Sequence, residues 1–126
     1  MALIHDELKI TTIKELFTMD LTLPSYQRPY SWSVKSTNTL FIDTYEAFKD
    51  GTSEYRIGSV ILHKASTGKY NIVDGQQRLT TLSILLYCLG DDNQSMLKEK
   101  YGKLSNDNIV TNFGVLYRRT NELLIN

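Results

Sequence analysis

The sequence has one cysteine, two histidines, two prolines, no excess charge of either sign and no long apolar run. Each shortage closes off a class of function. Cys88 alone makes no intramolecular disulfide framework and fits a reducing compartment, so a cytoplasmic location is expected. His5 and His63 lie far apart and no CxxC pair accompanies them, so the ligand spacing of a zinc site is missing. Fourteen Lys+Arg balance fourteen Asp+Glu. Such a chain does not bind nucleic acid by bulk charge, which leaves only a local basic patch for that role. The longest apolar run, Ile84 to Leu89, falls far short of the roughly 20 residues that cross a bilayer, so no membrane association is expected. Asp6, Glu7, Glu15 and Asp20 interrupt the opening stretch, so a secretory leader is not expected there.

What is present fits one globular domain. A chain of 126 residues buries roughly two-thirds of its unfolded surface. Thr12 and Glu15 have capping-box spacing and open a short helix. Asp20 to Leu23 alternates polar and apolar, as a short strand does. Pro24 and Pro29 bracket an extended loop. Ser33 caps a second helix reaching about Lys49, with Phe41, Tyr45 and Phe48 on its apolar face. Tyr55 to Leu62 and Tyr70 to Val73 read as the strands of an antiparallel hairpin. Asp74-Gly75 is a turn, and Leu79 to Leu89 a core helix with Leu79, Leu82, Leu86 and Leu89 on one face, widened by Ile84, Leu85 and Tyr87. Residues 91 to 108 are polar, and a last amphipathic helix is expected from about Ile109 to Leu124, presenting Ile109, Phe113, Leu116 and Leu123. The fold class is α+β, a small mixed sheet with a hairpin, packed by helices.

Two clusters carry chemistry. The first runs from Tyr70 to Leu82 through Asp74-Gly75-Gln76-Gln77-Arg78 and passes from strand to turn to helix start. Unpaired N–H groups and the helix dipole favour an anion at such a start. Gly75 lets a ligand approach the backbone, and Arg78 adds a permanent forked cation. Thr80 and Thr81 add hydroxyls, Gln76 and Gln77 can orient water, and Asp74 can hold a metal ion. The same residues also read as an ordinary helix cap with a surface arginine, and no GxxxxGK[ST] loop exists in the chain. The second cluster is Pro24-Ser25-Tyr26-Gln27-Arg28-Pro29-Tyr30-Ser31-Trp32. Its aromatics can stack on a base and Arg28 can pair with phosphate; equally, Tyr30 and Trp32 can pin the loop into the core. Gly58 marks a bulge or a close backbone approach, with Ser59 beside it. Cys88 on an apolar helix face reads as inert packing, and His63 as a surface residue.

Together, Pro-x-Tyr-Gln-Arg-x-Tyr-x-Trp, Gly-Ser-Val-Ile and Asp-Gly-Gln-Gln-Arg-Leu-Thr-Thr-Leu resemble the N-terminal domain of GmrSD-type restriction proteins, over about residues 12 to 90. The resemblance implies a ParB/sulfiredoxin-like core over 1–90; it does not reach 91–126, which the pattern of the residues reads as a helical extension that opens a truncated C-terminal part. It implies a prokaryotic phage-defence role, and a domain that binds and hydrolyses a nucleoside triphosphate with Mg²⁺. It implies DNA as a partner of the full-length protein, and a nuclease domain or partner chain. The 126 residues hold no His-Asn-His segment, so a nuclease of that kind is not in them. Under this reading Tyr26, Gln27, Arg28, Gly58, Ser59, Gly75, Arg78, Thr80 and Thr81 bind the nucleotide. Asp74, Gln76, Gln77, Arg78 and Arg28 form the catalytic group, and Asp74 is the metal ligand. The competing readings are a non-catalytic DNA-binding or modification-sensing module, a ParB-like nuclease, and a fragment that acts only through a partner chain.

Overall fold

The computed structural model describes residues 11–23, 28–51, 55–91, 94–98 and 103–125. Helix α1 (Ile13–Leu16) starts at Thr12, whose hydroxyl accepts from the Glu15 amide at 3.1 Å. Strand β1 (Leu21–Thr22) follows, then α2 (Val34–Lys49), capped by Ser33. Strands β2 (Ile61–Lys64) and β3 (Tyr70–Asp74) form the expected hairpin, closed by the Ala65 and Gly68 amide bonds. Helix α3 (Gln76–Cys88), a 3-10 turn at Ser95–Lys98 and α4 (Lys103–Ile125) complete the chain. The sheet order is β1-β3-β2, with β1 parallel and β2 antiparallel to β3, which is the mixed sheet of an α+β fold.

Helix α3 lies between two apolar clusters. On one side Leu79 and Leu82 pack with Leu16, Leu21, Ile72 and Met96, beneath the sheet. On the other, Ile84 and Leu85 pack with Tyr30, Phe41 and Leu116, against α2 and α4. The buried stretch therefore runs unbroken from Leu79 to Leu85, and it takes in Thr80, Thr81 and Ser83. The single apolar face expected for this helix is corrected accordingly: Leu86 is half-buried and Leu89 exposed. Small hydroxyl residues tolerate this burial because their protons bond back to the helix, as Ser83 does to Leu79 O at 3.0 Å.

Other boundaries shift for local reasons. The first hairpin strand is Ile61–Lys64 rather than 55–62, because residues 58–60 lie against the start of α3 rather than against a strand. Helix α3 starts at Gln76, three residues before Leu79, since left-handed Gly75 (φ +97°) already accepts the first helical bond from Leu79 N. Phe48 is 81% exposed, and α2 instead buries Thr37 and Phe41. Helix α4 begins at Lys103, inside the stretch read as polar, and packs across α2 and α3 through Ile109, Phe113 and Leu116. The Leu123 side chain lies outside the described residues.

Ile72 is fully buried on the central strand. Ile72→Ala is expected to cost about 2–5 kcal/mol in urea denaturation. Val73→Ala, at the exposed neighbouring position, should cost well under half of that.

Candidate functional site

The segment Pro29–Trp32 crosses the molecule with no strand beside it, so its backbone polar groups need side-chain partners. Helices α3 and α4 supply them. Gln77 brackets Tyr30: its Oε1 accepts from Ser31 N at 2.8 Å and its Nε2 donates to Pro29 O at 3.1 Å. Tyr30 N donates to Ser105 Oγ at 2.9 Å, and Tyr30 O accepts from Asn108 Nδ2 at 3.0 Å. Asn112 Nδ2 donates both to Trp32 O and to the Tyr30 hydroxyl. The direction of the chain that follows is fixed. The Asn112 amide nitrogen is only a donor, and the Thr81 hydroxyl gives its proton to Gln77 O at 2.9 Å. The Tyr30 hydroxyl therefore accepts from Asn112 and donates to Thr81 Oγ1 at 2.7 Å.

Gln77 thus ties the strap to the first turn of α3, and the 58–60 segment closes on that turn from the other side. At Gly58 (φ +143°) an added Cβ would stand 2.6 Å from Arg78 Nη1 and 2.9 Å from its Cζ. The guanidinium therefore lies close against Gly58, where a side chain would displace it and where the positive φ favours glycine. At Gly75 an added Cβ would meet Val60 Cγ2 at 3.1 Å and Ser59 O at 3.5 Å. Among the described residues the Arg78 side chain has no hydrogen-bond or ion-pair partner, although it is partly buried. The start of α3 has no side-chain cap and no acidic residue in its first turn. Among the described residues the result is a helix N-terminus without a side-chain cap and a guanidinium without a partner beside it.

Four of the expected site residues, Gly58, Ser59, Gly75 and Arg78, come together here, with Asp74 exposed at the end of β3. Arg28 is exposed at the start of the strap, and Tyr26 and Gln27 lie outside the described residues. Other expectations need correction. Thr80 and Thr81 are 1% and 0% exposed, so their hydroxyls face the interior and offer nothing to a surface ligand. Gln76 is buried, and its Nε2 donates to Ile72 O and Val73 O, closing the end of β3. Both glutamine amides are tied to backbone, Gln77 through Oε1 and Nε2 and Gln76 through Nε2, which restrains them as groups for orienting water. Among the described residues no group of three His, Cys, Asp or Glu side chains could hold a metal ion. His63 is exposed; Cys88 is half-buried, and burial pushes its thiol pKa up, away from thiolate chemistry.

Ser105, Asn108 and Asn112 were not expected at this site. Their spacing of three and four residues, continued by Leu116, is the signal that places them on one helical face.

A family model described as GmrSD restriction endonuclease, N-terminal domain, matches residues 11–124, so the match runs past residue 90 and takes in most of α4. No curated protein and no solved structure matches the chain.

Tyr30→Phe removes the central hydroxyl of the chain and leaves a buried Asn112 donor unpaired; a loss of about 1–3 kcal/mol is expected in chemical denaturation. Burial raises the Tyr30 pKa above 10.0, with the hydrogen bonds to Thr81 and Asn112 pulling it back. The fold therefore favours neutral Tyr30. That contribution is complete below about pH 10 and is lost as pH rises through the folded value. Melting temperatures followed from about pH 8 to about pH 11 should fall less steeply for Tyr30→Phe than for the wild type.

Proposed function

From its membership of the GmrSD restriction endonuclease N-terminal domain family, to which the chain belongs, we propose that it binds a nucleoside triphosphate at the 74–78 turn. It would act there as the nucleotide-handling part of a DNA restriction protein in phage defence, in the cytoplasm. The observation that carries this reading is Arg78. Among the described residues its guanidinium rests on Gly58 with no hydrogen-bond or ion-pair partner, at a helix start whose N-cap, Gly75, has no side chain to cap it. Buried or half-buried cations are normally paired, so a guanidinium left without a partner among the described residues, beside a helix start, supports the reading that an oxyanion binds there.

In this site the first-turn amides of α3 and the Arg78 fork hold phosphate oxygens, and Gly75 keeps the backbone bare for their approach. Arg28 would be the second cation, standing next to the Pro29 that Gln77 holds, so Gln77 serves as a positioning residue. Mg²⁺ fits the donor set only as it is ordinarily bound to nucleotides, through one or two carboxylates together with phosphate oxygens and water. Asp74 would be its protein ligand at the turn. When bound, the ion neutralises phosphate charge. Hydrolysis at the same place would draw on Asp74 and Arg28, since the amides of Gln76 and Gln77 are engaged.

Thermal melting with each common NTP plus Mg²⁺ tests the reading. A ligand at about 100 times its dissociation constant adds roughly 2.7 kcal/mol, a rise of several degrees for a chain of this size. The rise should vanish in Arg78→Ala and shrink in Gly58→Ala, whose methyl displaces the guanidinium. Folded wild-type protein that shows no shift with any NTP would overturn the proposal.

A further inference from the structure

A second basic locus lies away from the 74–78 turn, where the start of α2 meets the second half of α4. Val34, Asn38, Val115, Arg118, Arg119 and Glu122 line a cleft of about 220 Å³. Both guanidiniums are tethered through Nε. Arg118 donates to Gly114 O at 3.4 Å, and Arg119 donates across the helix pair to Asn38 Oδ1 at 3.3 Å. Among the described residues neither has a carboxylate partner, even though Glu122 shares the cleft. An arginine held by Nε keeps its two terminal amino groups for a bidentate contact, and two such forks lining one cleft suit a phosphate. The first turn of α2 contains no acidic residue, and its Lys35 is exposed.

We infer that this cleft seats one phosphate of a nucleic-acid backbone, gripped by Arg118 and Arg119. The volume favours a polymer over a free nucleotide. Pockets that enclose a whole small ligand run to about 300–1,000 Å³, and this cleft lies below that range, sized for a group that belongs to a longer molecule passing across it. Glu122 sets the strength of the grip, because its carboxylate repels the phosphate that the arginines attract. The chain's zero net charge is no obstacle, since the contact needs only local cations. The inference does not depend on nucleotide binding at the α3 turn.

The test is fluorescence anisotropy of the full 126-residue chain with a labelled duplex of about 20 base pairs, titrated across a range of KCl concentrations. Each phosphate contact contributes about 0.9 to the slope of log affinity against log salt. The double variant Arg118→Ala/Arg119→Ala, in protein that remains folded, should lower that slope by about 0.9, the share of one phosphate. Arg118→Lys/Arg119→Lys should keep most of the slope while weakening binding, because charge survives and the fork does not. Glu122→Gln should tighten binding, which a purely structural role for the cleft would not produce. The last two variants keep the test decisive should the double alanine variant fail to fold. No salt-dependent binding by the wild type, or an unchanged slope in a folded double alanine variant, overturns the inference. So does a loss of slope in Arg78→Ala alone, which would put the DNA at the α3 turn. Inorganic phosphate and ATP provide the remaining arm. If they stabilise the wild type through these arginines while duplex binding keeps its slope, the cleft takes a small anion and the polymer assignment fails.

Discussion

The structure depends on the burial of Tyr30. A strap without a strand partner would leave its amides and carbonyls unsatisfied, and each such buried group costs about 1–3 kcal/mol. The remedy is a directed relay from Asn112 through the Tyr30 hydroxyl and Thr81 to Gln77 O, with the Gln77 amide reaching back to Pro29 and Ser31. One ring thereby joins the strap to α3 and α4. The burial that makes the relay costly to break also makes it stiff, because in a low-dielectric setting each member loses more by parting than it would in water.

That relay explains the form of the candidate site. The first turn of α3 cannot rotate without breaking Gln77 from the strap, so the turn that displays Arg78 is held from one side. The 58–60 segment holds it from the other, and it can do so only because Gly58 and Gly75 have no side chains. Two glycines and two backbone-bound glutamines therefore build a rigid frame around one open guanidinium. The Asp-Gly-Gln-Gln-Arg run of this chain then divides its labour. Gly75, Gln76 and Gln77 form the frame, while Asp74 and Arg78 face outward from it.

Much of this was legible in the sequence. The strand–turn–helix passage through Gly75, the hairpin, the Ser33 cap and the apolar face of the last helix follow from local patterns, and the structure contains them. The close approach expected at Gly58 is there too. What local pattern could not convey is which side chains look inward on a helix buried on both sides. Thr80 and Thr81 read as ligand hydroxyls because periodicity assigns one wet face, and α3 has none over those turns. The start of α4 read only as a polar stretch before the helix because its apolar content is low. Its Ser105, Asn108 and Asn112 instead form a polar stripe that faces another polar backbone. Long-range pairing of this kind leaves no trace in either segment alone.

The balance of charge takes on a different meaning once positions are known. Fourteen cations against fourteen anions suggests a surface with nothing to attract a phosphate. Yet Arg78, Arg118 and Arg119 all lack carboxylate partners among the described residues. Neutrality is a sum over the chain, whereas recognition of an oxyanion is decided within a few ångströms, because charges beyond about 8–10 Å are largely screened at physiological salt. A neutral protein that leaves selected arginines unpaired can thus hold phosphates at defined points while avoiding the indiscriminate attraction to nucleic acid that a strongly basic surface brings. For a domain of a restriction protein family, that separation is physically useful, because phosphate contacts can be confined to chosen points of a surface that is neutral as a whole.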